Sequence, residues 1–316
     1  MLVAAGQGCK VFTRTFVEHG FQDFPGVFSR EKCRALYEAV LDNRDWRQIF
    51  FPALSDYQRS VSAGGNNPRP GRNLAEKLDT DFIFGNLGFR EEMTRVCGPR
   101  WRVLDYKFVM AVRSKSLPPW LADELGNRPI ANLGEFVRPE HRDLTYFHGI
   151  DFHQDSIDFP GRAPDFITVY IYLDDVGAED APLLIIPDSF RLGATMFPHE
   201  LTRVESDPNL VQYRSPEIGV EASLKIRRLV GPGGSAYYWH PFTLHGTAPQ
   251  ILPIPRVSMR ILIETNERYP IRSESAELYR SFENIKGAHA LMRTQKDIDG
   301  DGRVLIDKNY IRENLS

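Results

Sequence analysis

Cysteine is scarce in this sequence, with only Cys9, Cys33 and Cys97 among 316 residues. The three are too widely spaced for a disulfide framework or for a metal site built from thiolates. A reducing compartment is the better fit, so the sequence predicts a cytoplasmic protein.

Long apolar runs are missing as well, since no stretch approaches the ~20 consecutive apolar residues that a membrane helix needs. The N-terminus shows no early basic residue followed by an apolar core, so we expect neither a signal peptide nor a membrane span. The net charge is only −3, and acids and bases are mixed along the chain. Without a sustained basic run, nothing favours a nucleic-acid partner.

A spaced pair of polar residues precedes an apolar run that is typical of a buried strand. The run covers residues 166–173, and the pair is His153 and Asp155. On an extended chain, residues two apart point to the same side, so the imidazole and the carboxylate should converge while Gln154 points away. Two histidines and one carboxylate, with further positions open, are the ligands of non-haem iron oxygenases. We therefore expect a second histidine on a neighbouring strand.

His245 is the strongest candidate for that second histidine. A Gly-Thr pair follows it directly, and Arg256 follows eleven residues later. Two other histidines compete with it. His148 has no carboxylate two residues after it, and we interpret it as a neighbour of the metal ligands. His240 is followed by Pro241, which would distort a strand locally.

Arg256 opens a strand-like segment over residues 256–263, in which Ser258 shares its face. A guanidinium offers a planar fork of donors that suits a carboxylate, and the hydroxyl adds one more donor. Arg260 lies on the same face and is the alternative carboxylate binder, although the spacing from His245 favours Arg256. The segment therefore predicts an anion site near the metal ligands.

Taken in this order, the motifs resemble the phytanoyl-CoA dioxygenase family of iron(II)/2-oxoglutarate oxygenases. The likeness rests on His153-x-Asp155, on Ala-Pro-Leu-Leu-Ile-Ile-Pro-Asp-Ser at 181–189, on Leu-His-Gly-Thr at 244–247 and on the spaced arginine. The opening segments 18–21 and 24–29 are similar to the family's entry strand and first helix. The resemblance spans roughly residues 16–265.

The resemblance implies a mainly β fold with flanking helices, built on a double-stranded β-helix, or jelly-roll, core. It also implies that His153, Asp155 and His245 hold iron(II), and that 2-oxoglutarate and dioxygen are co-substrates. In that arrangement, Arg256 and Ser258 bind the distal carboxylate of 2-oxoglutarate.

Two further residues are assigned to the co-substrate by the same resemblance. Thr247 would hydrogen-bond 2-oxoglutarate, as the matching small hydroxyl residue does in the family. Lys107 would point into the barrel and assist an acid group of 2-oxoglutarate; the alternative is a solvated lysine on a half-polar strand.

The expected activity is hydroxylation of an unactivated C–H bond in a small molecule, with 2-oxoglutarate converted to succinate and carbon dioxide. We expect a monomer or a homodimer. Two alternatives stay open: a non-enzymatic ligand-binding jelly roll with a vestigial site, and a metal-dependent cupin enzyme that does not use 2-oxoglutarate. Neither alternative needs a buried carboxylate clamp such as Arg256.

The length allows about two domains, but single barrels of this size are common, so we predict one domain over residues 1–316. It comprises a helical N-terminal part to about residue 100, a core over 101–270 and a helical tail over 271–316. Ser29 is expected to cap the first helix, and a second helix is expected over 74–97, interrupted near Gly85 and Gly88. The predicted buried face of the first helix consists of Cys33, Leu36, Tyr37, Val40 and Leu41.

Several other segments carry predictions of their own. A strand is expected over 101–113, with a polar face that carries Asp105 and Lys107. Residues 59–73 are rich in turn formers, and we interpret them as a candidate lid. The chain beyond Arg191 to about residue 220 is expected to be a loop. Residues 297–308 copy the first half of a calcium loop, but Lys308 replaces the completing glutamate, so we expect a plain acidic turn.

Overall fold

A computed structural model describes residues 16–45, 48–60, 67–69, 71–126, 132–158, 165–193, 197, 199–215 and 219–265. The predicted C-terminal helical tail and the acidic segment 297–308 lie outside these residues, as does the centre of the candidate lid. No helix in the described ranges is long and apolar enough to cross a membrane.

The helices lie mostly in the N-terminal third of the chain and on one side of the largest sheet. They are α1 Arg30–Asp42, α2 Leu54–Ser60, α3 Asp81–Phe84, α4 Leu87–Cys97 and α5 Pro119–Gly126. The strands are β1 Phe21–Phe24, β2 Arg102–Ala111, β3 Thr145–Phe147, β4 Ile150–His153, β5 Phe166–Tyr172, β6 Leu183–Ile185, β7 Glu200–Val204, β8 Asp207–Ser215, β9 Val220–Lys225, β10 Arg227–Leu229, β11 Ala236–Trp239, β12 His245–Thr247 and β13 Arg256–Glu264.

Helix α1 begins where the sequence predicts it. The Ser29 side chain accepts a hydrogen bond from the backbone N–H of Lys32 at 3.3 Å, which satisfies one of the unpaired donors at the helix start. Leu41 is partly buried, and the other four residues of the predicted face are buried against the largest sheet.

The second predicted helix is interrupted near Gly85 and Gly88, as expected. Helix α3 ends with Gly85 as its C-cap, and Asn86 then accepts a hydrogen bond from the N–H of Phe89 at 2.9 Å and starts α4. The expected start at residue 74 was wrong, because Leu74–Glu76 form a 3-10 turn and α3 begins only at Asp81.

Two sheets form the jelly-roll core that the sequence analysis predicts. The larger has the strand order β1-β11-β5-β13-β2-β3, and the smaller has the order β10-β6-β12-β4. From β4 to β6 and again from β10 to β13, the chain alternates between the two sheets, which is the connectivity of a double-stranded β-helix. All pairings in the core are antiparallel except that of β2 with β3.

Alternation along β13 explains how one strand serves both the core and the candidate site. Val257, Met259 and Ile261 belong to the apolar cluster that the larger sheet shares with α1 and α4. Arg256 and Ser258 alternate with these residues along the strand and are buried on the opposite face, where the two sheets meet. The sheet therefore turns polar groups toward the interior of the barrel.

The prediction of a loop from residue 191 to about residue 220 was wrong from residue 200 onward. A three-stranded antiparallel sheet, β7-β8-β9, contains residues 200–204, 207–215 and 220–225. Val211 and Tyr213 are buried against the smaller core sheet, whereas Gln212 and Arg214 are exposed. The alternation of buried and exposed residues covers only a few positions, and the exposed ones are polar or charged. The composition of the segment therefore resembles that of a loop.

Candidate active site

Strand pairing brings the two predicted metal-binding histidines together. His245 on β12 lies directly opposite His153 on β4, and their ring centroids are 4.2 Å apart. Gly246 allows this close pairing, because a Cβ at that position would lie 2.7 Å from the carbonyl oxygen of Ile150. A side chain at position 246 would force β12 away from β4.

Asp155 reaches the histidines from a turn rather than from the strand itself. Strand β4 ends at His153, and Asp155 is the first residue of a 3-10 turn over Asp155–Asp158. Gln154 between them is fully buried and donates hydrogen bonds to the carbonyls of Gly193 at 2.7 Å and Phe242 at 2.8 Å. These two bonds fix the backbone so that the carboxylate faces the imidazoles.

The three side chains form a donor set for a metal ion. One nitrogen from each histidine and one oxygen of Asp155 lie within 4.8 Å of one another. His153 Nδ1 lies 2.9 Å from the carbonyl of Asp151, and His245 Nδ1 lies 2.9 Å from that of Thr243. A carbonyl can only accept, so each Nδ1 carries a proton, and Nε2 is the ring nitrogen available to a metal.

Two residues that the sequence analysis did not assign to the metal site hold the other carboxylate oxygen of Asp155. Thr168 donates to Oδ2 through its hydroxyl at 2.5 Å, and Trp239 donates through Nε1 at 2.9 Å. Oδ1 is left toward His245, at 3.6 Å from its Nε2. A threonine among the apolar residues of β5 is the sequence signal that could have indicated Thr168. That Trp239 joins it at Asp155 depends on the pairing of β5 with β11, which the sequence does not show.

Asp155 is ionised despite being buried. Burial by itself would raise the pKa of this carboxyl, but the imidazoles of His245 and His153 and the guanidinium of Arg260 outweigh burial and lower the pKa below its usual range. The site therefore presents a carboxylate between two imidazole rings, and this combination suits a divalent cation.

Arg256 is a buried cation among aromatic rings. It is 3% exposed, and its Nη1 donates to Ser258 Oγ at 2.6 Å and to Tyr170 Oη at 3.1 Å. Its guanidinium carbon lies 5.2 Å from the ring centroid of Phe147, 5.4 Å from that of Tyr170 and 5.5 Å from that of Tyr172. Within the described residues, Nε and Nη2 have no hydrogen-bond partner.

This arrangement fits a carboxylate ligand. A buried cation is costly unless an anion compensates it, and Arg256 forms no ion pair with any described residue. Two donors of one guanidinium remain open, and such a fork matches the two oxygens of a carboxylate. Ser258, which is fully buried, holds the guanidinium in place.

Thr247 and Lys107 lie in different parts of the interior. Thr247 is 3% exposed on β12 and shares a face with His245. Lys107 lies directly opposite Arg260, whereas the partner of Arg256 on β2 is Ala111. Four residues of strand, roughly 13 Å, therefore separate Lys107 from the register position of Arg256. The roles of both residues toward 2-oxoglutarate stay predictions.

The rival histidines lie outside the three-residue donor set. His148 is fully buried, and its Nδ1 lies 2.9 Å from the carbonyl of Val112. His240 Nδ1 accepts a hydrogen bond from the N–H of Phe242 at 3.2 Å, and burial lowers the pKa of His240 to about 3. Both are neutral residues of the core.

Part of this chain, including the metal-site residues and Arg256, matches a known protein family. Residues 108–256 match the family model described as phytanoyl-CoA dioxygenase (PhyH). L-proline trans-4-hydroxylase from Streptomyces griseoviridis is 31% identical over 119 residues, which cover 35% of this chain. The aligned region spans 41% of the length of that hydroxylase.

Solved structures with a similar chain path include two proteins at low sequence identity. EvdO2 from Micromonospora carbonacea var. aurantiaca, complexed with 2-oxoglutarate, is 14% identical with a TM-score of 0.49, covering 86% of this chain and 97% of that protein. The epimerase SnoN, in complex with Fe3+, alpha ketoglutarate and nogalamycin RO, is 13% identical with a TM-score of 0.46, covering 82% and 84%.

Proposed function

We propose, from the premise that this chain belongs to the phytanoyl-CoA dioxygenase family through residues 108–256, that it is an iron(II)/2-oxoglutarate-dependent dioxygenase. Its reaction would be oxidation, most simply hydroxylation, of a C–H bond in a small molecule. One observation carries the proposal: two histidines and a carboxylate converge in the same barrel that buries an arginine for which the described residues provide no counterion.

In the proposed enzyme, His153, His245 and Asp155 would hold iron(II). The Nδ1–H groups already donate to backbone carbonyls, which orients both rings before a metal arrives. Thr168 and Trp239 hold the second oxygen of Asp155 and so favour a single carboxylate ligand atom.

Arg256 is proposed to bind the distal carboxylate of 2-oxoglutarate, with Ser258 and Tyr170 holding the guanidinium in place. Thr247 and Lys107 are further candidates for contacts with the co-substrate. Each charge-assisted hydrogen bond of this kind contributes about 1.5–3 kcal/mol. Such a clamp would favour a five-carbon diacid over a keto acid that has no second carboxylate.

When bound, iron(II), 2-oxoglutarate and dioxygen together supply an oxidant that inserts one oxygen atom into a C–H bond and yields succinate and carbon dioxide. The residues of this chain would position the bound groups and exclude water from the site. The aromatic rings of Phe147, Tyr170 and Tyr172 surround the clamp. Asp155 disfavours halogenation, because related halogenases have no carboxylate at this position.

The clamp also distinguishes the proposal from its two alternatives. A vestigial binding protein would have no need to bury Arg256 beside an intact donor set. A cupin enzyme that does not use 2-oxoglutarate would have no need for a cation that can bind a distal carboxylate. Similarity to a hydroxylase that acts on L-proline supports a small-molecule substrate, and we propose that class without naming the molecule.

The test is anaerobic titration of the iron(II)-loaded protein with 2-oxoglutarate. We expect the weak visible charge-transfer band of a chelated keto acid, and a search with candidate small molecules should then find one that stimulates succinate release in air. Bound iron without the band would favour the cupin alternative. Failure to bind iron would favour the vestigial site.

A further inference from the structure

One buried hydroxyl on the inner face of the larger sheet has no hydrogen-bond partner among the described residues. It belongs to Thr145, the first residue of β3, which is 6% exposed. A hydroxyl can donate one hydrogen bond and accept others, and burying it without a partner lowers the stability of the folded state. The fold therefore keeps a destabilising polar group at this position.

Strand pairing shows which way the Thr145 side chain points. Thr145 lies opposite Val109 on the parallel strand β2, and Phe147 follows two residues later, opposite Ala111. Val109, Ala111 and Phe147 belong to the apolar cluster between the two core sheets. Tyr146, which lies between Thr145 and Phe147, belongs instead to the cluster on the helical side. Because side chains alternate along a strand, Thr145 projects into the barrel beside Phe147.

Phe147 connects this wall of the barrel to the proposed clamp. Its ring centroid lies 5.2 Å from the guanidinium carbon of Arg256. Two residues of strand rise roughly 7 Å, so Thr145 stands one row of side chains away from the ring that contacts the guanidinium. Ser258 and Thr145 also flank the same residue, Val109, on its two sides. The hydroxyl of Thr145 and the clamp therefore face one region of the interior.

The guanidinium of Arg256 is held through Nη1. This nitrogen donates to Ser258 on β13 and to Tyr170 on β5. Strand β3 lies on the opposite side of β13 from β5, because the sheet order is β5-β13-β2-β3. Nε and Nη2, which form the other edge of the guanidinium, have no partner among the described residues. Two donors of Arg256 and the hydroxyl of Thr145 are thus left around the ring of Phe147.

We propose that Thr145 donates a hydrogen bond to the carboxylate that Arg256 binds, and so forms part of the co-substrate site. The inference rests on the proposed function, in which that carboxylate is the distal one of 2-oxoglutarate. A carboxylate that accepts from two guanidinium donors still has free lone pairs, and a hydroxyl can donate to one of them. One ligand would then satisfy three buried donors, none of which has a partner within the described part of the chain.

The experiment compares two keto acids by calorimetry on protein loaded with Mn(II). The first is 2-oxoglutarate, and the second is 2-oxopentanoate, which has the same chain length but ends in a methyl group instead of the distal carboxylate. Thr145→Val keeps the shape of the side chain and removes the hydroxyl. We expect it to weaken 2-oxoglutarate about tenfold and 2-oxopentanoate less than about threefold, because only the first ligand loses a hydrogen bond to a charged group. Thr145→Ser retains the hydroxyl and should bind 2-oxoglutarate within about threefold of the wild type.

Two further measurements separate a ligand contact from a structural role. In an Arg256→Gln background, Thr145→Val should change the affinity for 2-oxoglutarate less than about threefold, because the carboxylate is no longer held within reach of the hydroxyl. The unfolding temperature of ligand-free Thr145→Val should equal or exceed that of the wild type, because the variant removes a buried polar atom that has no partner among the described residues. Thr202→Val, at an exposed position on β7, is the matched control and should leave both affinities unchanged.

Each adverse outcome identifies what has failed. If Thr145→Val binds 2-oxoglutarate as tightly as the wild type, or weakens both keto acids equally, the hydroxyl does not contact the distal carboxylate and the inference is overturned. A loss that persists in the Arg256→Gln background, or a clearly lower unfolding temperature of ligand-free Thr145→Val, overturns it as well. If the wild-type protein does not bind 2-oxoglutarate with Mn(II), or does not prefer it to 2-oxopentanoate, the proposed function fails first.

Discussion

Thr168 on β5 and Trp239 on β11 are direct cross-strand partners, and both donate a hydrogen bond to the same oxygen, Oδ2, of Asp155. The other oxygen, Oδ1, is left facing His245. A carboxylate that is fixed in this way can bind a metal through one oxygen without first reorienting. The pairing of two strands in one sheet therefore sets the orientation of a ligand that belongs to the opposite side of the barrel.

Thr168→Val should weaken metal binding by about tenfold or more, because loss of a hydrogen bond to a metal ligand typically costs that much affinity. The side chain keeps its shape but loses the hydroxyl. Calorimetric titration with Co(II) or Mn(II) measures the effect. Thr168→Ser retains the hydroxyl and should bind nearly as the wild type does; equal affinity of all three proteins would contradict the role.

Asp155→Ala should reduce metal binding more severely than Thr168→Val, since it removes the only charged member of the donor set. It also leaves the buried donors of Thr168 and Trp239 without an acceptor, at a cost of about 1–3 kcal/mol each in folding free energy. Metal content after dialysis and the unfolding temperature measure the two effects. Asp42→Ala, at an exposed site at the end of α1, is the control and should change neither.

Arg256→Gln should weaken 2-oxoglutarate by about a hundredfold or more while metal affinity is retained, because two charge-assisted contacts are lost together. The unfolding temperature of the metal-free protein should not fall, since the variant removes a buried cation that forms no ion pair within the described part of the chain. Stabilisation by 2-oxoglutarate should disappear; at a hundred times Kd it is about 2.7 kcal/mol in the wild type. Unchanged 2-oxoglutarate affinity would show that the clamp is assigned to the wrong residue.

Gly246→Ala should lower the free energy of unfolding by about 1–3 kcal/mol and weaken metal binding together. The added methyl would press on the backbone of β4 and separate the two histidines. Gly88→Ala is a matched control, because its new methyl would meet only ordinary contacts in helix α4. That change should stabilise the protein by about 0.5–1 kcal/mol and leave metal affinity unchanged.

The sequence predicted the parts of the site that depend on local spacing. His153 and Asp155 are two residues apart, and Arg256 follows His245 by eleven residues, so these spacings could be recognised without knowledge of the fold. Helix α1 was predicted for the same reason, because its cap and its apolar period are both local.

Contacts that depend on strand pairing could not be predicted in this way. The bonds of Thr168 and Trp239 to Asp155 join residues that are 13 and 84 positions apart from it. The position of Lys107 opposite Arg260 likewise follows from the β2–β13 register. Strands β7, β8 and β9 were missed for a different reason, since charged and polar side chains alternate with their apolar residues and make the segment resemble a loop in composition.

Strand β12 has only three residues, yet it is held on both sides, by β4 and by β6. Its histidine is therefore preorganised by the sheet and does not rely on a metal to hold it. In small zinc domains the ion is part of the folding energy and chelators denature the protein. Here a chelator should remove the metal while the barrel stays folded, and the metal-free protein should bind metal again when it is added.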